Sequence, residues 1–266
     1  MTTFRVLQFN MQFGQLWDER EPDRAPVDLE RTIDEIRCQE ADLVFLQEVE
    51  QARAGGTQVE PPPNFQRMRE ALSDYHGVFS YPPADPRELP FGLGLAIFSR
   101  QPLENVFREV LPSPPVEFDF FGERKTPTDR IMLGAHTLLG GRRVRVLNIH
   151  LLAFFMLKSS SEFHGTQRAQ VVDTLLRDPG PTLLAGDFNV SNTGSLTRQF
   201  AAAGYRTAQD SEVTWRRQPL VLDHVFYNPP LRCLDARVVP TPASDHHMLA
   251  VDFDWQEEVA ARAGAA

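Results

Sequence analysis

The chain has 266 residues, 42% of them hydrophobic, which is enough to bury a sizeable core in one large domain. Its 36 acidic residues outnumber 27 basic ones, and the formal charge of −9 argues against broad attraction to nucleic acid or to an anionic membrane, while leaving room for a locally basic groove. The two cysteines, Cys38 and Cys233, imply neither a metal spacing nor a disulfide framework; no signal peptide is visible at the N-terminus and no apolar run approaches the roughly 20 residues of a membrane span, so a cytoplasmic protein is expected.

In chain order, residues 4–9 read as a strand that stops at Asn10. Asp28 then caps a helix reaching to about residue 40, with Leu29, Ile33 and Ile36 at helical spacing. Residues 42–47 form a second apolar strand, ending at Glu48. Gly55, Gly56 and the prolines at 61–63 mark a loop, after which Phe65, Met68, Leu72 and Tyr75 suggest a second helix. A short strand at 77–81 and a buried one at 93–99 follow. Gly92 and Gly94 superficially resemble a phosphate-cradling loop, but no helix start follows them, so tight strand packing is their expected role. Residues 112–127 read as an irregular loop whose Phe118, Phe120 and Phe121 are expected to cap the core, the alternative being that they rim a substrate cleft. Residues 131–138 and 144–149 form a hairpin across Gly140 and Gly141, and its second arm ends in Asn148, Ile149 and His150.

The apolar run at 151–157 is expected to be core or a lid. A helix spans about 166–177, and the apolar strand 181–185 stops at Gly186. Beyond it Asp187 and Asn189, two apart in extended chain, project to the same side. Residues 196–203 look helical, closed by Gly204. Asp223 precedes a short strand, 234–239 form another, and a turn leads through Ser244, Asp245, His246 and His247 into a closing strand at 248–253. Residues 257–266 are expected to fray. No linker or repeat divides the chain, so residues 1–256 are expected to be one layered α/β domain with two sheets.

Asn10, Glu48, Asn148, His150, Asp187, Asn189, Asp223, Asp245 and His246 all lie at or just beyond strand ends, where a rigid scaffold presents chemistry. Each alone has an ordinary explanation as a turn, a cap or a satisfied core polar group; together they point to one pocket. The oxygen donors Glu48, Asp245 and Asn10 suit Mg²⁺, or Mn²⁺ in its place, and the lack of cysteine ligands argues against structural zinc. Asp223 and His246 have the makings of an oriented base.

Asn10, LQEV (46–49), NIHL (148–151), GDFN (186–189), LDH (222–224) and SDHH (244–247) occur in the order found in the endonuclease/exonuclease/phosphatase superfamily, which the chain resembles over roughly residues 4–253. The resemblance implies a deoxyribonuclease-I-like fold, a four-layer α/β/β/α sandwich with two packed mixed β-sheets. It implies that Glu48 binds Mg²⁺ or Mn²⁺ with Asn10 and Asp245 at or near the metal, and that His246, oriented by Asp223, activates or positions the attacking water. Asp187 and Asn189 would position nucleophile and phosphate, His150 would hydrogen-bond a phosphate oxygen, and Asn148 and Arg130 would join the phosphate contacts.

His150 resembles the deoxyribonuclease, sphingomyelinase, deadenylase and tyrosyl-DNA phosphodiesterase branches, whereas abasic-site endonucleases usually carry Asn there. Val221-Leu222-Asp223-His224 replaces the Trp-Cys-Asp-Arg stretch of inositol polyphosphate 5-phosphatases. The expectation is a divalent-metal-dependent phosphoesterase, a diesterase rather than a monoesterase, with nucleic acid among its candidate substrates. Two alternatives stay open: a sphingomyelinase-like phospholipid phosphodiesterase that uses residues 151–157, and a member that binds a phospho-ligand without turnover. Neither stable membrane association nor a protein partner is expected.

Overall fold

The computed structural model describes residues 3–256, so the tail expected to fray, 257–266, lies outside the described residues. The chain opens with β1 (Phe4–Asn10), α1 (Leu29–Arg37), β2 (Leu43–Gln51), α2 (Pro63–Ala71), β3 (His76–Ser80), β4 (Gly92–Ser99) and β5 (Glu104–Leu111). A small ribbon, β6 (Phe118–Phe120) and β7 (Glu123–Lys125), precedes β8 (Arg130–Leu139), β9 (Arg142–His150), α3 (Thr166–Leu176), β10 (Thr182–Asp187) and α4 (Thr193–Ala202). It closes with β11 (Arg206–Thr207), β12 (Asp223–Tyr227), β13 (Leu231–Val239) and β14 (Met248–Trp255).

Two six-stranded sheets result, in the orders β13-β14-β1-β2-β4-β3 and β11-β12-β10-β9-β8-β5. Both are mixed: β1 runs parallel to β2 and β9 parallel to β10, while β1–β14 and β10–β12 are antiparallel. Successive side chains on a strand face opposite sides, and that alternation builds the layers. Val6, Leu43, Phe45 and Leu95 of the first sheet meet Val144, Val146, Leu183 and Ala185 of the second in one buried cluster. The alternate residues Leu7, Phe9, Val44 and Leu46 pack on Ile33, Ile36, Phe65 and Met68 of α1 and α2. Leu147, Ile149, Leu184 and Phe226 pack on Val171, Leu175, Leu196 and Phe200 of α3 and α4. The layers are therefore helix, sheet, sheet, helix, as expected.

Asp28 caps α1 by accepting from Arg31 N, and the helix ends at Arg37, short of residue 40. The cap of α2 comes from elsewhere: Pro62 offers no side-chain acceptor, and Glu50 Oε1 of β2 accepts from Phe65 N at 2.9 Å. Strand β5 has no counterpart among the expected elements, because its half-exposed, charge-rich sequence carries little apolar alternation; it sits at a sheet edge, where charges discourage further pairing. The loop at 112–127 contains the β6–β7 ribbon, and Phe121 at its tip is 92% exposed, so these phenylalanines do not cap the core. Phe120 packs instead on Phe91 and Phe121. In the 151–157 run, Leu151, Leu152 and Phe154 are buried but Met156 is 59% exposed on a 3-10 turn, so half is core and half rim. Among the described residues no helix is long and apolar enough to cross a membrane.

Candidate active site

At one end of the seam between the sheets the inward-facing side chains change from apolar to polar. On β1 the inward series Phe4, Val6 continues as Gln8 and Asn10; on β9 Val144, Val146 continues as Asn148 and His150; on β10 Leu183, Ala185 continues as Asp187. The parity that buries the core thus delivers polar groups from both sheets to one place. Asp223 begins β12 opposite Asp187, and Asp245 and His246 arrive on the loop before β14.

Asn10 Nδ2 donates to Glu48 Oε1 at 3.0 Å and to Asp187 Oδ2 at 3.1 Å, tying the two sheets together through two carboxylates. His150 Nε2 lies 3.8 Å from Glu48 Oε1 and 3.6 Å from Asp187 Oδ2. His246 Nε2 lies 3.7 Å from the same Asp187 Oδ2, while its Nδ1 pairs with Asp223 Oδ2 at 2.8 Å. The second Asp223 oxygen accepts from Gln8 Nε2 at 2.9 Å. Asn189 N–H donates to Asp187 Oδ1, and its Nδ2 donates to the carbonyl of Leu151, just beyond His150.

Burial of these charges sets the electrostatics. Burial and the neighbouring charge of Asp245 push Glu48 up to about 7. Burial and the charge of Asp223 push Asp187 up to about 8. Burial and the nearby guanidinium of Arg130 bring His150 down to about 3, so its imidazole is neutral. For His246 burial pulls downward, but the charge and hydrogen bond of Asp223 outweigh it and lift the group to about 10. Burial alone would raise Asp223, yet the imidazole charge and its hydrogen bonds hold it below its usual value.

Buried, mutually repelling carboxylates with few compensating donors suit a hard cation, and the donor set is oxygen-rich, as Mg²⁺ or Mn²⁺ requires. Ligand atoms of Asp187, Asp223 and His246 lie within 4.8 Å of one another. Since Asp223 is already committed to His246 and Gln8, the position shared by Glu48, Asn10 and Asp187 is the better fit.

One expected role needs correction. Asn148, expected at the phosphate, is fully buried; Oδ1 accepts from Gln47 Nε2 at 2.7 Å, and Nδ2 donates to the carbonyls of Leu46 and Ala96. It pins one sheet to the other, one step deeper than the pocket. Asp245, expected at or near the metal, has Oδ2 taken by Trp215 Nε1 at 3.1 Å and Arg217 Nε at 2.5 Å, so its charge reaches Glu48 while that oxygen stays engaged. Arg130 is near enough for its charge to act on Glu48 and His150, and its Nε is buried with no hydrogen-bond partner.

Sequence reasoning missed Gln8, Gln47 and Trp215. Gln8 carries a usable signal, a polar residue on the inward face of an apolar strand two positions before Asn10. Trp215 carries none, because the segment before β12 has no regular pattern.

Amides, carboxylates and imidazoles thus meet at one end of the seam between two mixed sheets, and comparison with known proteins places that architecture in a family. The chain belongs to the Endonuclease/Exonuclease/phosphatase family, whose pattern matches residues 7–246. Members of this family are typically divalent-metal-dependent phosphoesterases. A UPF0294 protein of Yersinia pseudotuberculosis is 35% identical over 124 residues, 42% of this chain and 44% of that protein, so the match spans less than half the length of the relative. An endonuclease/exonuclease/phosphatase structure from Beutenbergia cavernae superposes with a TM-score of 0.70 at 21% identity, covering 96% of this chain and 72% of that one. A mannosyl-6-phosphatase of Bacteroides thetaiotaomicron superposes with a TM-score of 0.64 at 15% identity, covering 95% and 100%.

Proposed function

We propose that the chain is a divalent-metal-dependent phosphoesterase that cleaves a phosphodiester by attack of water on phosphorus. The observation that carries this reading is the bridge of Asn10 between Glu48 and Asp187, with His150 and His246 both within 3.7 Å of the same Asp187 oxygen. Glu48, with Asn10 beside it, would hold Mg²⁺ or Mn²⁺, which when bound supplies positive charge against the phosphoryl oxygens.

The remaining steps belong to the side chains. Neutral His150 donates a hydrogen bond to a phosphoryl oxygen, and the unpartnered Nε of Arg130 supplies a charged donor to the same group. Asp187 in its ionised form holds the attacking water and takes its proton as the P–O ester bond breaks, the departing ester oxygen taking a proton from solvent, while His246, aligned and kept protonated by Asp223, sets its positive charge against the phosphoryl oxygens. Asn189 fixes Asp187 through its N–H, which keeps that carboxylate turned toward His246. Gln8 keeps Asp223 from turning away from the imidazole.

The relative that is a mannosyl-6-phosphatase has the same fold, so the fold does not separate diesters from monoesters. The preference for a diester rests on the family resemblance of the site. A phospholipid diester is a second reading favoured by one observation: Met156 and Phe163, 59% and 80% exposed, follow His150 on the same rim segment. Hydrolysis of bis-p-nitrophenyl phosphate in Mg²⁺ or Mn²⁺, with p-nitrophenyl phosphate beside it, tests the proposal. Turnover that needs the metal and disappears in Glu48→Ala and His246→Ala is expected. Tight metal and phosphate binding with no turnover of either ester would favour a binding protein instead.

A further inference from the structure

Gly92 and Gly94 lie on β4 opposite the point where β2 leaves regular pairing. Gln47 pairs with Leu95 and Glu50 with Leu93, so Glu48 and Val49 together face the single residue Gly94. That is a β-bulge, a device that re-aims a side chain. Its two sides share an unusual backbone: Glu48 has φ 52° and Gly94 φ 84°, both in the left-handed region. Regular alternation would send Glu48 outward with Val44 and Leu46, onto α1 and α2. The bulge instead turns it to the side of Phe45 and Gln47, where it reaches Asn10 and His150.

Gly92, which pairs with Gln51 one step beyond the point where pairing resumes, bounds the space into which Glu48 turns. A Cβ added at Gly92 would lie 2.2 Å from Glu48 Oε2, 2.3 Å from its Cβ and 2.8 Å from its Cδ. Real Cβ atoms essentially never come so close, and the three nearest atoms all belong to this one side chain. Gly92 itself has no left-handed φ, so the constraint on it is the volume of Glu48 and not its own backbone. Gly94 has the backbone constraint, and an added Cβ there would also strike the ring of Phe79 at 2.6 Å.

We propose that the Gly92-Leu93-Gly94 stretch is the device that aims Glu48 into the pocket: Gly94 lets the bulge form, and Gly92 leaves the volume that the glutamate stem occupies. Gly92 is therefore a positioning residue for Glu48. Its functional consequence rests on the reading of Glu48 as the metal-holding carboxylate; its steric basis does not.

Four full-length proteins test this: wild type, Gly92→Ala, Glu48→Gly and the double variant. Each is followed by thermal unfolding in EDTA and by calorimetric titration with Mn²⁺. Gly92→Ala is expected to lower Tm and to weaken Mn²⁺ binding by about tenfold or more. In the Glu48→Gly background, where no stem is left to collide with, the same substitution is expected to leave Tm unchanged. Wild-type Mn²⁺ affinity in Gly92→Ala, or an equal loss of Tm in both backgrounds, would overturn the proposal. If Gly92→Ala is too unstable to purify, recovery of folding in the double variant supports the proposal and failure to recover overturns it. Mn²⁺ binding that survives Glu48→Gly would instead overturn the metal reading, and the Tm comparison would then judge the steric device alone.

Discussion

Asp187 Oδ2 is the atom on which the site converges: it accepts from Asn10 and lies within 3.7 Å of both His150 and His246. Its raised affinity for a proton, and that of Glu48, make the metal-free protein sensitive to pH. Both carboxyls titrate near 4 in an unfolded chain and near 7 and 8 here, so the folded protein binds protons more tightly. Their contribution to stability is complete below pH of about 4 and is lost as pH rises through 7 and 8. His246 has the same sign, its contribution complete below about 6.5 and lost toward about 10. Tm in EDTA should therefore fall between pH 5.5 and 9, and fall less in Glu48→Gln/Asp187→Asn. A Tm that climbs across that window contradicts the assignment. Saturating Mn²⁺ should stabilise more at pH 8 than at pH 6, because protons compete for the same oxygens. Asp223→Asn should keep the fold and reduce kcat by about 10³-fold or more, as loss of the orienting carboxylate does in other acid–base pairs. An activity within threefold of wild type would remove Asp223 from the machinery.

At the scale of elements, two ties can be tested without touching the Asp187 cluster. Glu50 supplies the cap that Pro62 cannot give α2, so Glu50→Ala should cost about 1 kcal/mol, a few degrees in Tm, and leave Mn²⁺ binding as it is. Arg217 reaches Asp245 from the segment before β12 and also holds Asp23 at 2.6 Å. Arg217→Met should lower Tm in EDTA, because a largely buried Asp245 loses its cation. It should also tighten Mn²⁺ binding, because the pocket becomes more negative; weaker binding would show that Arg217 shapes the pocket instead of opposing the cation.

The elements also mark what was legible in sequence. Strands that bury one or both faces, such as β1, β2, β9 and β10, announced themselves by apolar runs, and their polar ends marked Asn10, Glu48, His150 and Asp187. Strand β5, whose edge position needs few apolar residues, did not. Nor did the bulge at Glu48, since composition does not record a change of side; only the pairing of β2 with β4 shows it. Asn148 is a related case: its spacing from His150 is legible in the sequence, but depth along the seam, which is not, separates a sheet-to-sheet tie from a pocket residue. Trp215 and Arg217 come from irregular chain whose path no periodicity encodes.

For the molecule as a whole, the proposed function follows from one feature of the sandwich. The seam between the sheets is apolar through most of its length and polar at one end, so rigidity and chemistry share the same strands. The most direct test is anomalous diffraction at the manganese edge from crystals grown with Mn²⁺. The account predicts a peak within about 2.1 Å of a Glu48 carboxylate oxygen, with Asn10 and Asp187 around it. A peak confined to Asp223 and His246, or no peak near Glu48 at saturating Mn²⁺, would contradict it.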